Sequence, residues 1–354
     1  MSVRVSVSPV PESAYDAWNR LVASSPHGSI YSTPEYLDVL SSVTGARFRI
    51  LGVYKGDELL GGVGLYLKNA SSGTIVSSRL LLYYNGLVVR DYDSRYPSLR
   101  TARHLEVLTA LEESLSAAGY ARVRIHNRHP LTDVRPFIAR GWCARPGYSY
   151  EVPTDDLKAQ WDRIEQNLRR LINRCSSLGT VVTDTDGFDD FYRLHAQTHE
   201  RKGAPLYLPR EAFRKYFERL RDQNLARLYC ARNQDGRALA AQLVLLGGHP
   251  VTHTVSAAAD AEFLNTGATP FLRWKAFEAL NALGYQANDL TDAALNPVTH
   301  FKSQLGGNLC QTMILTRPDS RMLRTQDRLD SLYRNARGFM GRLLKPVKSG
   351  GEEQ

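Results

Sequence analysis

The sequence predicts an α/β fold with a mixed sheet, present twice along the chain, and three observations carry that prediction. A strand–turn–strand unit occurs at Leu51 to Gly61, with Lys55, Gly56 and Asp57 at the turn, and again at Leu228 to Ala241, with Asp235 and Gly236 at the turn. Each hairpin leads to a further apolar strand, then a helix ending at a Gly-Tyr pair (Gly119-Tyr120 and Gly284-Tyr285) and another strand. Each copy then closes with a short helix opening on Phe, Phe137 to Trp142 in the first and Phe301 to Gly306 in the second. The copies are offset by 179 residues at the hairpin (239 − 60, from Leu60 to Leu239). That is the period of whole domains, since solenoid repeats run about 20–50 residues.

The elements follow in order. Val3 to Val7 alternates as an edge strand does, and Ser13 or Asp16 opens a helix through Trp18, Leu21 and Val22. Pro34 to Leu40 is a second short helix. Arg47–Tyr54 and Leu59–Tyr66 form the hairpin, Leu80–Val89 a long apolar strand, Thr101–Ala118 an amphipathic helix and Ala121–Ile125 a strand. The second copy begins with helices at Leu157–Leu178, Phe188–Glu200 and Arg210–Asp222. Strands follow at Ala226–Arg232, Ala238–Leu246 and Val251–Ala258, then the helix Pro270–Leu283 and the strand Ala287–Thr291. The short helix Thr299–Leu305 and the strand Leu309–Thr316 close it. The division is therefore 1–150, 151–316 and a tail of 317–354, each of the first two long enough to bury a core of its own.

Composition narrows the class. Hydrophobic and charged fractions of 43% and 23% are those of a globular protein. The longest apolar stretch, Ala238 to Leu246, is far shorter than the roughly 20 residues of a membrane helix, so a cytoplasmic location is expected. Cys143, Cys175, Cys230 and Cys310 make no C-x-x-C pair and read as reduced thiols, mostly in strands. The net charge of +9 is unevenly placed: 317–348 has nine Lys or Arg against three Asp, a surplus of +6. Leu323, Leu329, Leu332, Phe339 and Leu343 give that tail helical periodicity. It is either a helix packed on the body or a peripheral contact with an anionic membrane face.

Several residues could carry chemistry. Thr269 suits an N-cap with Pro270 as first helical residue, and Gly267-Ala268 would let a ligand approach the free N–H groups of that helix. Asp289 and Asp292, on or just beyond a strand end, could orient an amine or take its proton, or could cap a loop. Arg201 and Lys202 precede a Gly-Ala-Pro loop and suit a carboxylate or phosphate, with Tyr207 beside them. Arg163, Arg169, Arg170 and Arg174 line one helix face, either solvated or a track for nucleic-acid phosphates. His195 and His199 are spaced for one helix face, but the order His-x-x-x-His-Glu misplaces the glutamate of a zinc protease, so no metal is expected. The chain has no Gly-x-Ser-x-Gly elbow, P-loop or dinucleotide fingerprint.

The order strand–strand–strand–helix–strand–helix–strand, preceded by helices, resembles the GNAT acyltransferase fold, and two such units in tandem resemble the FemABX aminoacyltransferases. The resemblance rests on Asn167 to Arg174, Thr198 to Gly203, Gly267 to Pro270 and His300-Phe301-Lys302-Ser303-Gln304-Leu305-Gly306. It implies an N-acyltransferase without a cofactor, taking an amino acid from aminoacyl-tRNA to an amine of a peptide or cell-wall precursor. It places Lys302, after Phe301, at the reaction centre, where an ammonium would stabilise an oxyanion or a leaving-group phosphate. The long coiled-coil insertion of the larger FemA-type members is absent. Acyl-CoA-binding GNAT domains carry Gln/Arg-x-x-Gly-x-Gly/Ala before this helix. Here the positions are Leu264, Gly267 and Thr269, which weighs against CoA. An acyl-CoA-dependent enzyme of polysaccharide or amino-sugar modification is the second expectation, and a non-catalytic envelope-binding protein the third. The first copy has no such glycine between Asp91 and Arg100 and is expected to lack a donor site.

Overall fold

A computed structural model describes residues 5–184, 187–295 and 297–317. The basic helix expected in the tail, from 318 onward, lies outside the described residues. In the first half, β1 (Val5–Pro9), α1 (Tyr15–Ser24) and α2 (Pro34–Thr44) precede the hairpin β2 (Arg47–Lys55) and β3 (Glu58–Ala70). There follow β4 (Gly73–Val76), β5 (Leu87–Val89), α3 (Pro97–Ala117), β6 (Arg122–Asn127), α4 (Arg135–Ala139) and β7 (Cys143–Pro153). The second half has α5 (Leu157–Arg163), α6 (Gln166–Ser177), β8 (Val181–Thr183), α7 (Phe188–Lys202) and α8 (Arg210–Asp222). Then come β9 (Ala226–Arg232), β10 (Ala238–Leu245), β11 (Val251–Ala259), α9 (Ala268–Ala282), β12 (Ala287–Asp289), α10 (Pro297–Gln304) and β13 (Asn308–Thr316).

The strands form one mixed sheet in the order β1-β2-β3-β4-β6-β13-β7-β12-β11-β10-β9-β8, with β5 paired to β3. Its centre is a reciprocal strand exchange. β7, the last strand of the first half, pairs with β12 of the second, while β13 pairs with β6 of the first. The two exchanged strands pair with each other from Asn308↔Glu151 to Thr316↔Cys143. The division expected at residue 150 therefore falls inside β7, a strand whose Pro-Gly interior the hydrophobic pattern does not announce.

Two helical layers and three apolar clusters cover the sheet. α3 covers the first half through Val107, Leu108, Leu111 and Leu115, and α6 with α9 covers the second through Leu168, Ile172, Phe271 and Phe277. The third cluster joins both halves: α2 packs on α8, with the phenol oxygens of Tyr36 and Tyr216 2.9 Å apart. Each half thus buries a cluster of its own, and this third one joins them.

Two elements differ from expectation. The run Leu80–Val89 is not one strand. Leu81 turns with φ 73°, and only Leu87–Val89 pairs, so Tyr83 and Tyr84 cross into the junction between the halves. The expected helix 157–178 breaks at Ile164 and Glu165, both extended, where the Glu165 N–H donates to the Gln304 carbonyl at 2.9 Å. Of the cysteines, Cys230 lies buried on β9 but Cys175 is buried on a helix, and Cys143 is exposed. Among the described residues no helix is long and apolar enough to cross a membrane.

Candidate active site

β11 and β12 are parallel and pair only over Val251↔Ala287, Thr252↔Asn288 and His253↔Asp289, then diverge. Both sides of the wedge are shaped by irregular backbone. On β11, Leu243 faces Ser256 and Val244 faces Thr254, which leaves Val255 as an extra residue in a bulge. Its carbonyl accepts from the Tyr83 hydroxyl at 3.3 Å. Beyond β12, Thr291 and Asp292 both take left-handed conformations (φ 47° and 44°). A β-branched residue rarely holds that conformation unless its surroundings impose it.

Those surroundings are visible. Asp289 Oδ1 accepts the Thr291 N–H at 2.7 Å, and Thr291 Oγ1 donates to the Thr254 carbonyl at 2.9 Å. The carbonyls of Thr291 and Asp292 are thereby aimed inward, and both accept from Lys302 Nζ. Lys302 is on α10 and is 8% exposed, so it is no ordinary surface lysine. Burial, and then the charge of Arg273, push its pKa down to about 8; Asp292 and Asp289 oppose the shift. The ammonium form predominates at neutral pH, but less securely than in water.

The wedge opens into a cavity of about 220 Å³, lined by Lys302, Arg273, Lys202, Asp292, Tyr83 and Tyr207 together with the β11 backbone. Tyr83, from the first half, and Tyr207, from the second, stand with hydroxyls 3.2 Å apart. Burial raises the pKa of both phenols, so both remain neutral donors. On the β11 wall, Ser256 Oγ is 3.2 Å from His195 Nδ1. Burial first, and then His199, lower the His195 pKa to about 3, which makes that ring a neutral partner and a weak base.

The predicted residues divide into two groups. Lys302, Asp292, Lys202 and Tyr207 come together around the cavity. Asp289 does not line it. Fully buried, it accepts from Ser149 Oγ, the Tyr84 hydroxyl at 2.8 Å and the Thr291 N–H. Burial works against its charge, but His253, Ser149 and Arg128 outweigh that and hold it below the ordinary carboxylate range. A carboxylate saturated with donors is a positioning group for the turn, which corrects the expectation that it takes a proton. Phe301 packs against the second-half core and pins α10. Arg201 is exposed on the last turn of α7 and lies outside the cavity lining.

The cap expected at the start of α9 is corrected as well. The helix opens at Ala268, with left-handed Gly267 (φ 89°) as its cap, so Thr269 is not the N-cap. Gly267 and Ala268 are buried, and a Cβ at Gly267 would meet the Leu171 carbonyl oxygen of α6 at 2.6 Å. Only glycine fits there, because any larger side chain would meet that backbone.

Two lining groups escaped the sequence reading. Tyr83 was hidden in the presumed strand. Arg273 carried a usable signal: it shares the helical register of Pro270, Phe277 and Leu280, where a charge is out of place.

Residues 162–303 match the acetyltransferase (GNAT) domain family, a span that contains every cavity-lining residue except Tyr83. The chain has a tandem GNAT fold, and its second half carries an acyltransferase domain. The acyltransferase is similar in fold to FemX (TM-score 0.67, 15% identity, 87% of this chain and 96% of that one). It is also similar to the C-terminal domain of a protein described as a lysylphosphatidylglycerol synthetase from Agrobacterium fabrum (TM-score 0.56, 10% identity, 87% and 93%). A tandem GNAT protein of the clavulanic acid pathway matches at TM-score 0.52 with 14% identity, covering 90% of this acyltransferase and all of that chain. No curated protein matches it.

Proposed function

We propose that this acyltransferase moves an aminoacyl group from aminoacyl-tRNA to an amine of a peptide or cell-wall precursor, within the wedge between β11 and β12. The observation that carries this reading is Lys302, a buried ammonium held at the wedge by two strained-turn carbonyls, while the loop before α9 has Leu264 and Thr269 where a CoA-binding loop has Gln/Arg and Gly/Ala. The FemX-like fold supports the same donor class. The amine nitrogen attacks the ester carbonyl carbon, a C–N bond forms, and the C–O bond to the ribose breaks. Asp292, exposed at the rim, takes the amine's proton and returns it to the departing ribose oxygen, which leaves as the hydroxyl. Lys302 stabilises the tetrahedral oxyanion, and positioning supplies much of the remainder. Arg163, Arg170 and Arg174, exposed on α5 and α6, supply contacts for tRNA phosphates. The setting is the cytoplasm, where such donors are made.

The acyl-CoA reading keeps one observation in its favour, the match to an acetyltransferase family. Incubation with radiolabelled aminoacyl-tRNA and, separately, acetyl-CoA separates the two. Salt-sensitive tRNA binding and ester consumption, with no thermal shift from acetyl-CoA, is the expected result. A clear acetyl-CoA shift without tRNA binding reverses the order.

A further inference from the structure

The cavity is over-supplied with positive charge. Lys302, Lys202 and Arg273 line it against the single carboxylate of Asp292. Lys302 is already bonded to two carbonyls, and Lys202 is exposed at the end of α7. Arg273 differs from both. It is 7% exposed, and among the described residues neither its Nε nor its Nη1 has a hydrogen-bond partner. The other buried arginine among the described residues, Arg128, leaves only its Nε unmet and donates to the Gly28 carbonyl at 2.7 Å and to Glu151 at 3.0 Å. A buried, always-charged group without an acceptor is strongly disfavoured, and a planar fork of donors matches an oxyanion bidentately. It lines the cavity.

We propose that this cavity is a receptor for a terminal oxyanion, a carboxylate or a phosphate monoester, on the substrate that occupies the wedge, with Arg273 as its main ligand. The depth of Arg273 favours a chain end over a phosphodiester, both of whose flanking sugars would have to enter a cavity of about 220 Å³. As a carboxylate, the group would belong to an acidic aminoacyl donor or to a peptide terminus. The inference rests on the wedge being the transfer site, as proposed above, although anion binding itself requires neither donor nor acceptor.

Thermal denaturation of the full-length protein tests it, with L-glutamate and adenosine 5′-monophosphate as the two anion probes and L-glutamine and adenosine as their neutral controls. At least one anion should raise the melting temperature while its control does not, and the responding probe names the source. Arg273→Met should weaken that anion roughly ten- to a hundredfold, as expected for loss of a charge-assisted pair. Its ligand-free form should melt at or above wild type, because an unpaired buried charge has gone. Arg273→Lys provides a folded comparison should the methionine variant not fold; it should keep part of the anion response. No response of wild type to either anion, or an unchanged response in the variants, overturns the proposal. Anion binding that survives while aminoacyl-tRNA is never consumed sinks only the donor assignment.

Discussion

The two halves of the sheet diverge at the same place and handle it in opposite ways. In the first half, β5 and β6 flank the gap that corresponds to the β11–β12 wedge, and two buried asparagines sew it shut. Asn85 Nδ2 donates to the Arg124 carbonyl at 2.9 Å, and Asn85 Oδ1 accepts from the His126 N–H at 2.9 Å. Asn127 Oδ1 accepts from the Leu87 N–H at 2.8 Å. In the second half, Asn288 and Thr291 bridge to β11 only as far as Thr254, and beyond them the gap opens into a cavity lined with cations and tyrosines. The closing helices differ in the same sense. Phe137 and Phe301 both face the core side, but the next residue is exposed Ile138 in one half and buried Lys302 in the other. The comparison teaches that one fold becomes scaffold or reaction site according to what satisfies the backbone at a strand divergence.

The largest expected effect separates Lys302 from its counterpart. Lys302→Ala should lower turnover roughly 10²–10³-fold, the scale of losing one oxyanion donor, while Ile138→Ala leaves it unchanged. Initial rates together with melting curves decide the matter, and equal losses from both substitutions would break the comparison.

Next comes the turn that holds Lys302. Asp289→Ala leaves the Ser149, Tyr84 and Thr291 donors without their acceptor, and should destabilise the protein by about 3–5 kcal/mol in urea titrations. A loss below about 1 kcal/mol would show that the turn holds itself.

The pH profile sharpens the role of the ammonium. Lys302 is cationic below about 8 and neutral above it, so kcat/KM should decline as pH rises past that value. The decline approaches tenfold per pH unit, the limit for one required proton. Lys302→Arg, charged throughout, should lose that descending limb even where its rate is low.

The smallest effect belongs to the suture. Asn85→Ala should destabilise by about 1–3 kcal/mol, as buried unmet partners do, with turnover per folded molecule intact. A turnover defect without loss of stability would assign the first half a part in the chemistry.

Much of this was legible along the chain. Local patterns determined the duplicated hairpins, the order of most elements and the GNAT class. The Phe301-Lys302 pair, Asp292, Lys202 and Tyr207 could be singled out because turn residues, helical periodicity and element ends are written in short stretches of sequence. What only the tertiary structure decided depends on contacts between distant segments. β7 and β13 exchange between halves because each completes a ladder whose partners lie over 130 residues away, and no local signal encodes that pairing. Asp289 changed from candidate base to anchor when Ser149 and Tyr84 came to it from elsewhere in the chain. The helix start moved to Ala268, with Gly267 as its cap, because the Leu171 carbonyl of a different helix leaves room there for glycine alone. Arg273 became a candidate ligand because packing buried it without an acceptor, and burial is a property of the assembled fold rather than of any residue alone.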